Sequence, residues 1–413
     1  MKNKKIIFIC FGRRNNYLTA NFFAKKKYLK LMVTDFYLNK KLSKLLNKCN
    51  QIFNFKVIDK IILRYSDFIK SKHILTIPSV ALDFFIRKTF FNQNYDLHGF
   101  HLKSAKFFNK KILNNKLIFK NVTHLYSYRN DSLELFVHLK KNNSYIKKIL
   151  EVPVAPAKFQ KNIINKVEKC YLNWEPKVNN NKNFNEMIRR EKKEIQLADH
   201  IIAPSKFVKD KILSCYLVKP SNISIIPYAM INKSNFKKQF LKKNISTKIK
   251  VLTVGDVCLR KGVHHVYEIA KALSDKFEFT WVGKSNLYPD ITKKVSKYIN
   301  LVGETPNNRI NQYYNSSDIY FLPSLCEGSA ISLYEAYKSN LFLIFTKNCG
   351  FDIPKETNKI VIDLNTKKMI SQFKKIHADN SFFNKMSIIN KNSRNLFSVQ
   401  NYEDKLERVM DKY

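Results

Sequence analysis

Pro323-Ser324-Leu325-Cys326-Glu327-Gly328-Ser329-Ala330-Ile331-Ser332-Leu333-Tyr334-Glu335-Ala336 reads as the end of a buried strand, a tight turn and the start of a helix. Ile319 to Leu322 is a short apolar run bounded by Asp318 and Pro323, the pattern of a strand covered on both faces. Gly328 breaks the chain just before a helical pattern carried by Ala330, Ile331, Leu333, Tyr334 and Tyr337, and Ser329 is the expected N-cap. The first turn of such a helix presents free backbone N–H groups, a natural anion site. Glu327 precedes the turn, and Glu335 is expected about two turns into the helix, roughly 9–12 Å further along its axis. That separation suits a ligand with polar groups at both ends and a phosphate between them, as in a sugar nucleotide.

Around this stretch the pattern stays regular. Ile249 to Val254 is a strand, Gly255 to Leu259 a loop, and Arg260-Lys261-Gly262 precedes a helix from Val263 to Leu273. Further strands are expected at Phe277–Val282, Ile299–Val302, Leu341–Thr346 and Ile360–Ile362, with a helix from Asn308 to Asn315. Alternating strand and helix implies a parallel, doubly wound sheet. Six of the eight glycines fall here, at Gly255, Gly262, Gly283, Gly303, Gly328 and Gly350, each at a strand–helix junction. In so glycine-poor a chain they mark places where a side chain would strain the backbone or block a ligand.

The first half gives a second unit of the same kind. Lys5 to Phe11 and Leu29 to Thr34 are strands joined through Gly12, Arg13 and a helix from Tyr17 to Lys27. Ligands of open parallel sheets bind beyond the C-terminal strand ends, which places Gly12, Arg13 and Arg14 where a substrate would lie; taken alone, an ordinary turn with solvated arginines explains them better. Thr123 to Tyr128 is another strand, with Arg129-Asn130-Asp131 at its end and Asp131 or Ser132 capping the helix from Leu133 to Lys141. Residues 36–118 read as mostly helical, including Val80 to Phe91, and Leu97-His98-Gly99-Phe100-His101 as a surface turn. Glu186 to Leu197 is a charged helix, and Ser205 caps the helix from Lys206 to Cys215. The expected organisation is an N-terminal acceptor-binding domain over 1–230, a linker over 231–248, a nucleotide-sugar-binding domain over 249–395, and a closing helix over 396–413 that crosses back to the first domain.

The 413 residues are enough for two α/β domains, each with its own core. The formal net charge of +43 raises three readings: drift toward lysine and asparagine, a membrane-surface role, and nucleic-acid binding. The lysines are spread along the chain rather than gathered, which favours the first, and no RRM, KH, zinc-finger or helix-turn-helix signature supports the last. The seven cysteines are scattered, without CxxC spacing, which argues against a disulfide framework or zinc site and for a reducing compartment. No apolar run approaches the length of a membrane span. A cytoplasmic location, peripheral on the inner face of the membrane, is the expectation.

The ordered set Val254-Gly255, Arg260-Lys261-Gly262, Trp281-Val282-Gly283, Leu301-Val302-Gly303, Ser317-Asp318, Pro323-Ser324, Glu327-Gly328 and Glu335-Ala336 resembles glycosyltransferase family four, retaining nucleotide-sugar-dependent enzymes of the GT-B fold, in which two Rossmann-like domains face across a cleft. The Glu-x(7)-Glu spacing is met by Glu327 and Glu335. Leu197 to Ser205 and Ile225-Ile226-Pro227-Tyr228 resemble the end of the family's N-terminal domain.

The resemblance implies catalytic roles for Glu327, Lys261 and Arg260, with Glu327 bonding hydroxyls of the donor sugar and the two cations meeting the diphosphate. It implies that Glu335 bonds the ribose, and that Gly255, Gly283, Gly328 and the backbone of Ser329, Ala330 and Ile331 complete the donor site. Gly12, Arg13, Tyr128, Arg129 and Asn130 lie on the acceptor side. Asp256 stands where many members carry arginine, and Arg260 is the nearest replacement charge. No Asp-x-Asp motif is present, so no metal or other cofactor is expected. The implied partners are a nucleotide-diphosphate sugar, a glycan or lipid-linked acceptor and an anionic membrane surface, with no specific nucleic acid; the implied pathway is cell-surface polysaccharide or lipopolysaccharide synthesis. Taken singly, each residue is ordinary helix-dipole or surface chemistry; the order of the set carries the reading. The rivals are a GT-B enzyme of other chemistry, such as an epimerase, a non-catalytic basic nucleic-acid-binding protein, and an inactive scaffold.

Overall fold

The computed structural model describes residues 4–53, 61–83, 96–176, 182–230, 248–353, 359–379 and 397–413. Two parallel sheets carry the fold. The first contains β1 (Ile6–Cys10), β2 (Leu29–Thr34), β3 (Ile74–Thr76), β4 (His124–Tyr128), β5 (Lys147–Glu151), β6 (His200–Ala203) and β7 (Ile223–Ile225), in the order β3-β2-β1-β4-β5-β6-β7. The second contains β8 (Ile249–Val254), β9 (Phe277–Val282), β10 (Ile299–Gly303), β11 (Ile319–Leu322), β12 (Phe342–Thr346) and β13 (Lys359–Ile362), in the order β10-β9-β8-β11-β12-β13.

Each sheet has one place where the chain order reverses. In the first it lies between β1 and β4, in the second between β8 and β11. Loops leaving two such strands splay apart at their carboxyl ends and open the crevice in which parallel sheets bind ligands. The second reversal therefore brings the β8 loop, with Arg260 and Lys261, beside the β11 loop, with Glu327. The strands are buried on both faces, Ile6 to Cys10 and Ile319 to Leu322 at no more than 1% exposure, which explains their unbroken apolar runs.

The lobes interlock. Trp174, from the first half of the chain, is buried in the second sheet's core among Val263, Tyr267 and Leu287. Cys326, from the second half, packs into the first sheet's core with Phe207 and Val152. The closing helix Val399–Lys412 lies on the first sheet, burying Tyr402, Leu406, Val409 and Met410 against Phe8 and Tyr126. Ion pairs Lys4–Asp411 (2.5 Å), Lys25–Glu403 (2.7 Å) and Lys26–Glu407 (2.7 Å) flank it.

Several sequence expectations are corrected. Leu97 to His101 opens the helix Leu97–Leu113 rather than forming a turn, because Asp96 caps it by accepting from the Gly99 amide at 3.0 Å. The helix after Gly328 spans Ile331–Lys338 with Ala330 as its N-cap, one residue later than expected, and Ser329 is not its cap. Its hydroxyl is bonded to the Tyr334 hydroxyl instead. Neither Asp131 nor Ser132 caps the helix Leu133–Asn142 through its side chain. Glu194 accepts from the Ser132 amide at 2.9 Å and from the Asn130 amide. The charged helix begins at Lys182. The expected linker over 231–247 and most of the helix Val80 to Phe91 lie outside the described residues.

Candidate active site

β8 delivers its loop through Gly255, whose amide donates to Val282 O at 2.9 Å. A Cβ on Gly255 would sit 3.1 and 3.2 Å from the ε-carbon and ammonium of Lys261, so the bare glycine clears the path the lysine takes. Gly283 backs it: a Cβ there would meet Gly255 O at 2.0 Å. A short 3-10 turn, Leu259–Lys261, then aims both cations across the sheet. Asp256 is exposed.

Three groups converge on one oxygen of Glu327. Arg260 reaches Oε1 at 2.6 Å, the Ser324 hydroxyl donates to it at 2.8 Å, and the Lys261 ammonium lies 3.0 Å away. Burial pushes the Glu327 carboxyl up, but Arg260 and then Lys261 outweigh it and hold the pKa below the ordinary carboxylate range. Arg260 shows the converse: burial disfavours its charge, and the Glu327 carboxylate more than restores it. Backbone bonds fix the two loops to each other, with the Leu325 amide donating to Arg260 O at 2.8 Å and Arg260 Nη1 to Cys326 O at 3.1 Å. A third loop supports them through Glu327 N to Asn348 O (2.8 Å) and Thr346 Oγ1 to Ser324 O (2.6 Å).

Glu335 lies about one turn into its helix, not two, because the helix starts at Ile331. It accepts from the Tyr314 hydroxyl at 2.8 Å. Burial raises its pKa, and that bond opposes the rise. The expected row of free amides is shorter than the sequence implied: the Ala330 amide donates to Cys349 O at 3.1 Å. Ser329 and Ala330 are buried, and Ile331 is exposed at the helix start.

The first lobe presses on this loop at Gly328. A Cβ there would lie 1.7 Å from Pro153 O, so only glycine allows the approach. The Ser205 hydroxyl donates to Gly328 O at 2.6 Å, and the Lys206 amide to Asp352 at 2.7 Å. Glu175, beyond Trp174, accepts from the Leu259 amide at 2.9 Å, one residue before Arg260.

On the acceptor side the structure separates the expected residues. Gly12 has φ +74 and donates its amide to Asp35 at 2.9 Å, which also holds Arg64 through two bonds at 3.0 and 3.1 Å. Arg13 is half-buried at this strand end and has no carboxylate partner among the described residues. Burial lowers its pKa, and the neighbouring Arg64 charge adds to that. Tyr128 and Asn130 are only 1% exposed, which leaves an acceptor no surface to touch, and Arg129 is paired with Glu191 at 3.0 Å. Arg14, read above as a solvated arginine, instead lies over the Tyr128 ring at 5.0 Å and 3.8 Å from Asp131. Sequence reasoning gave Ser324 no role although it lies three residues from Glu327, and it missed Tyr314, Glu175 and Ser205's bond to Gly328, each of which acts across a distance in sequence that no spacing rule reveals.

Among the described residues, no cluster of three or more His, Cys, Asp or Glu is placed to hold a metal ion. No described helix is long and apolar enough to cross a membrane.

Residues 248–379 match the family described as Glycosyl transferases group 1, so the second lobe carries a glycosyltransferase group 1 domain. The phosphatidylinositol N-acetylglucosaminyltransferase GPI3 subunit of Saccharomyces cerevisiae is 24% identical over 165 residues, 37% of this chain. The match spans 36% of that relative's length. WaaG, a glycosyltransferase involved in lipopolysaccharide biosynthesis, superposes with a TM-score of 0.58 at 12% identity, covering 98% of this chain and 99% of its own. HepE of Anabaena in complex with UDP-glucose superposes with a TM-score of 0.57 at 10% identity, covering 99% and 100%. The two structural likenesses show the GT-B fold.

Proposed function

We propose that the chain is a retaining glycosyltransferase of family four, moving a sugar from a nucleotide-diphosphate donor to a glycan or lipid-linked acceptor in cell-surface polysaccharide or lipopolysaccharide synthesis. The observation that carries this reading is the convergence of Arg260 and Lys261 on Glu327 at the chain reversal of the second sheet. An anionic diphosphate entering there meets two cations already held in place by a carboxylate. The Glu327 carboxylate in turn bonds the donor's hydroxyls, and Glu335, further along the helix, takes the ribose.

In the transfer, the bond from the anomeric carbon to the phosphate oxygen breaks and its electron pair stays on the diphosphate. Arg260 and Lys261 stabilise that growing charge, and cations fixed before the reaction spend nothing on reorganisation. The acceptor hydroxyl attacks from the face the diphosphate leaves, and its proton passes to the departing phosphate. No metal is required in this scheme, so activity should survive chelation. The acceptor enters beside Arg13, at the end of β1. We place the protein in the cytoplasm, and its charge of +43 supports contact with an anionic membrane face.

The test is a thermal-shift screen against uridine, guanosine and adenosine diphosphates and their sugars. A ligand that prefers the folded state raises the melting point. One nucleotide series should do so, and the rise should vanish in Lys261→Ala. No shift from any nucleoside diphosphate would overturn the reading.

A further inference from the structure

A pocket of about 630 Å³ lies at the opposite edge of the first sheet from the cleft. Its walls come from the segments that precede or begin β1, β2, β3 and β4, and they carry Lys5, Lys27, Lys30, Lys70, Lys72 and Lys120. His73 joins them, with its ring nitrogen against Lys30 O at 3.0 Å, and no carboxylate lines the space. Arg260, Lys261 and Glu327 come from loops of the second sheet, and Arg13 lies at the carboxyl end of β1, so the two sites share no residue.

The local charge pattern is selective. Lys4, Lys25 and Lys26, close in sequence to the pocket residues, are each paired with an acid of the closing helix. Among the described residues no acid pairs with Lys5, Lys27, Lys70, Lys72 or Lys120. The Lys30 ammonium is bent back onto Ile118 O at 3.2 Å and Lys120 O. Burial and then the adjacent Lys120 charge push its pKa down. Lys27 and Asn121 hold left-handed backbone at φ +59 and +55 on two sides of the pocket, a conformation that costs energy for non-glycine residues. Like charges crowded around a cavity repel, and an anion seated between them relieves that repulsion.

We propose that this pocket binds a phosphate-rich anion, at a site separate from the donor cleft. Several phosphate oxygens would be needed to engage so many ammonium groups, and lysine binds phosphate as a point charge. The rim favours a phospholipid headgroup over a free polyphosphate as the source: Leu117 is 76% and Phe68 55% exposed, and apolar side chains beside lysines suit the boundary between headgroups and acyl chains. Because the cleft opens at the other edge, an anchored protein would keep its active site free.

The test compares two triple variants of the full chain that lose the same charge. Lys27→Gln/Lys70→Gln/Lys72→Gln removes exposed pocket lysines; Lys192→Gln/Lys293→Gln/Lys375→Gln removes exposed lysines elsewhere. The probes are inorganic tripolyphosphate, by calorimetry, and phosphatidylcholine vesicles with and without phosphatidylglycerol, by cosedimentation. The pocket variant should bind at least one probe about tenfold more weakly, and the control variant should stay near wild type. Pocket-dependent binding of the anionic vesicles assigns a lipid source, and pocket-dependent binding of tripolyphosphate alone assigns a soluble one. Equal losses in both variants would mean diffuse charge and overturn the proposal, as would no binding of either probe. Tripolyphosphate binding lost only in Lys261→Ala would place the anion in the cleft and also overturn it, unless the vesicles depend on the pocket.

Discussion

Glu175 accepts a hydrogen bond from the backbone amide of Leu259 at 2.9 Å, so a residue of the first half of the chain braces the turn that presents Arg260 and Lys261. Burial raises the Glu175 carboxyl to about 7. A carboxyl whose pKa is higher folded than unfolded stabilises the fold while protonated. That contribution is complete below the unfolded value and is lost as pH rises through about 7. Glu175→Gln keeps an acceptor for the amide and removes the titration. Wild type should therefore lose about 1–3 kcal/mol relative to the variant between mildly acidic and mildly alkaline pH. Denaturant melts of both proteins across that range check it; parallel curves would contradict the assignment.

Glu327→Ala should reduce transfer by about a hundredfold or more while circular dichroism stays native. The variant also leaves two partly buried cations facing each other, so a stability loss of about 1–3 kcal/mol is expected. Full activity in the variant would remove Glu327 from the site.

Lys261→Ala and Glu335→Ala should separate chemistry from binding. The lysine faces the charge that develops during bond breaking, so its loss should lower kcat by about 10²–10³. Glu335 is assigned to the ribose, far from the reacting bond, so its loss should raise KM and leave kcat close to wild type. The reverse pattern would exchange the two roles.

Gly328→Ala places a methyl 1.7 Å from Pro153 O, a backbone atom that cannot rotate away. The lobes must part or the loop must shift, at about 1–3 kcal/mol. Small-angle scattering should show a larger radius for the variant, and activity should fall even though no charged group has changed.

Trp174→Ala empties a place in the second sheet's core that the first half of the chain fills. The cost should be about 3–5 kcal/mol, read from chemical denaturation, and the brace at Glu175 should loosen with it. A loss below about 1 kcal/mol would mean the site collapses without strain.

The sequence made the strand–turn–helix units legible because parallel strands buried on both faces leave unbroken apolar runs, and in so glycine-poor a chain the junctions stand out. The resemblance assigned Glu327 and the Arg260-Lys261 pair to one donor site, but the residue pattern did not show the direct contact between them, since that depends on β8 lying next to β11, a fact of strand order rather than of local pattern. The helix Lys182–Leu197 shows the same limit from the other side. Its run of arginine, lysine and glutamate reads only as a charged helix, yet Arg190, Glu191 and Glu194 are buried to 2% exposure or less. Glu194 gathers the amides of Asn130 and Ser132, Glu191 receives Arg129 and the Ala157 amide, and Arg190 pairs with Glu134 at 2.5 Å. A charge whose partner comes from another element carries no periodic signature. The misplaced cap at Ser329 has a similar cause: Cys349 O takes the Ala330 amide, and Ala330 stays extended as the N-cap in its place.

The reciprocal seating of Trp174 and Cys326 bears on how such a protein could diversify. Grafting the first half of the chain onto a foreign second half would strand an indole in solvent and leave the Cys326 socket of the first core empty. On the proposed reading, new acceptor preferences would then arise more readily by changing loops around Arg13 than by recombining whole halves, and any chimera would have to carry both anchors together with their sockets.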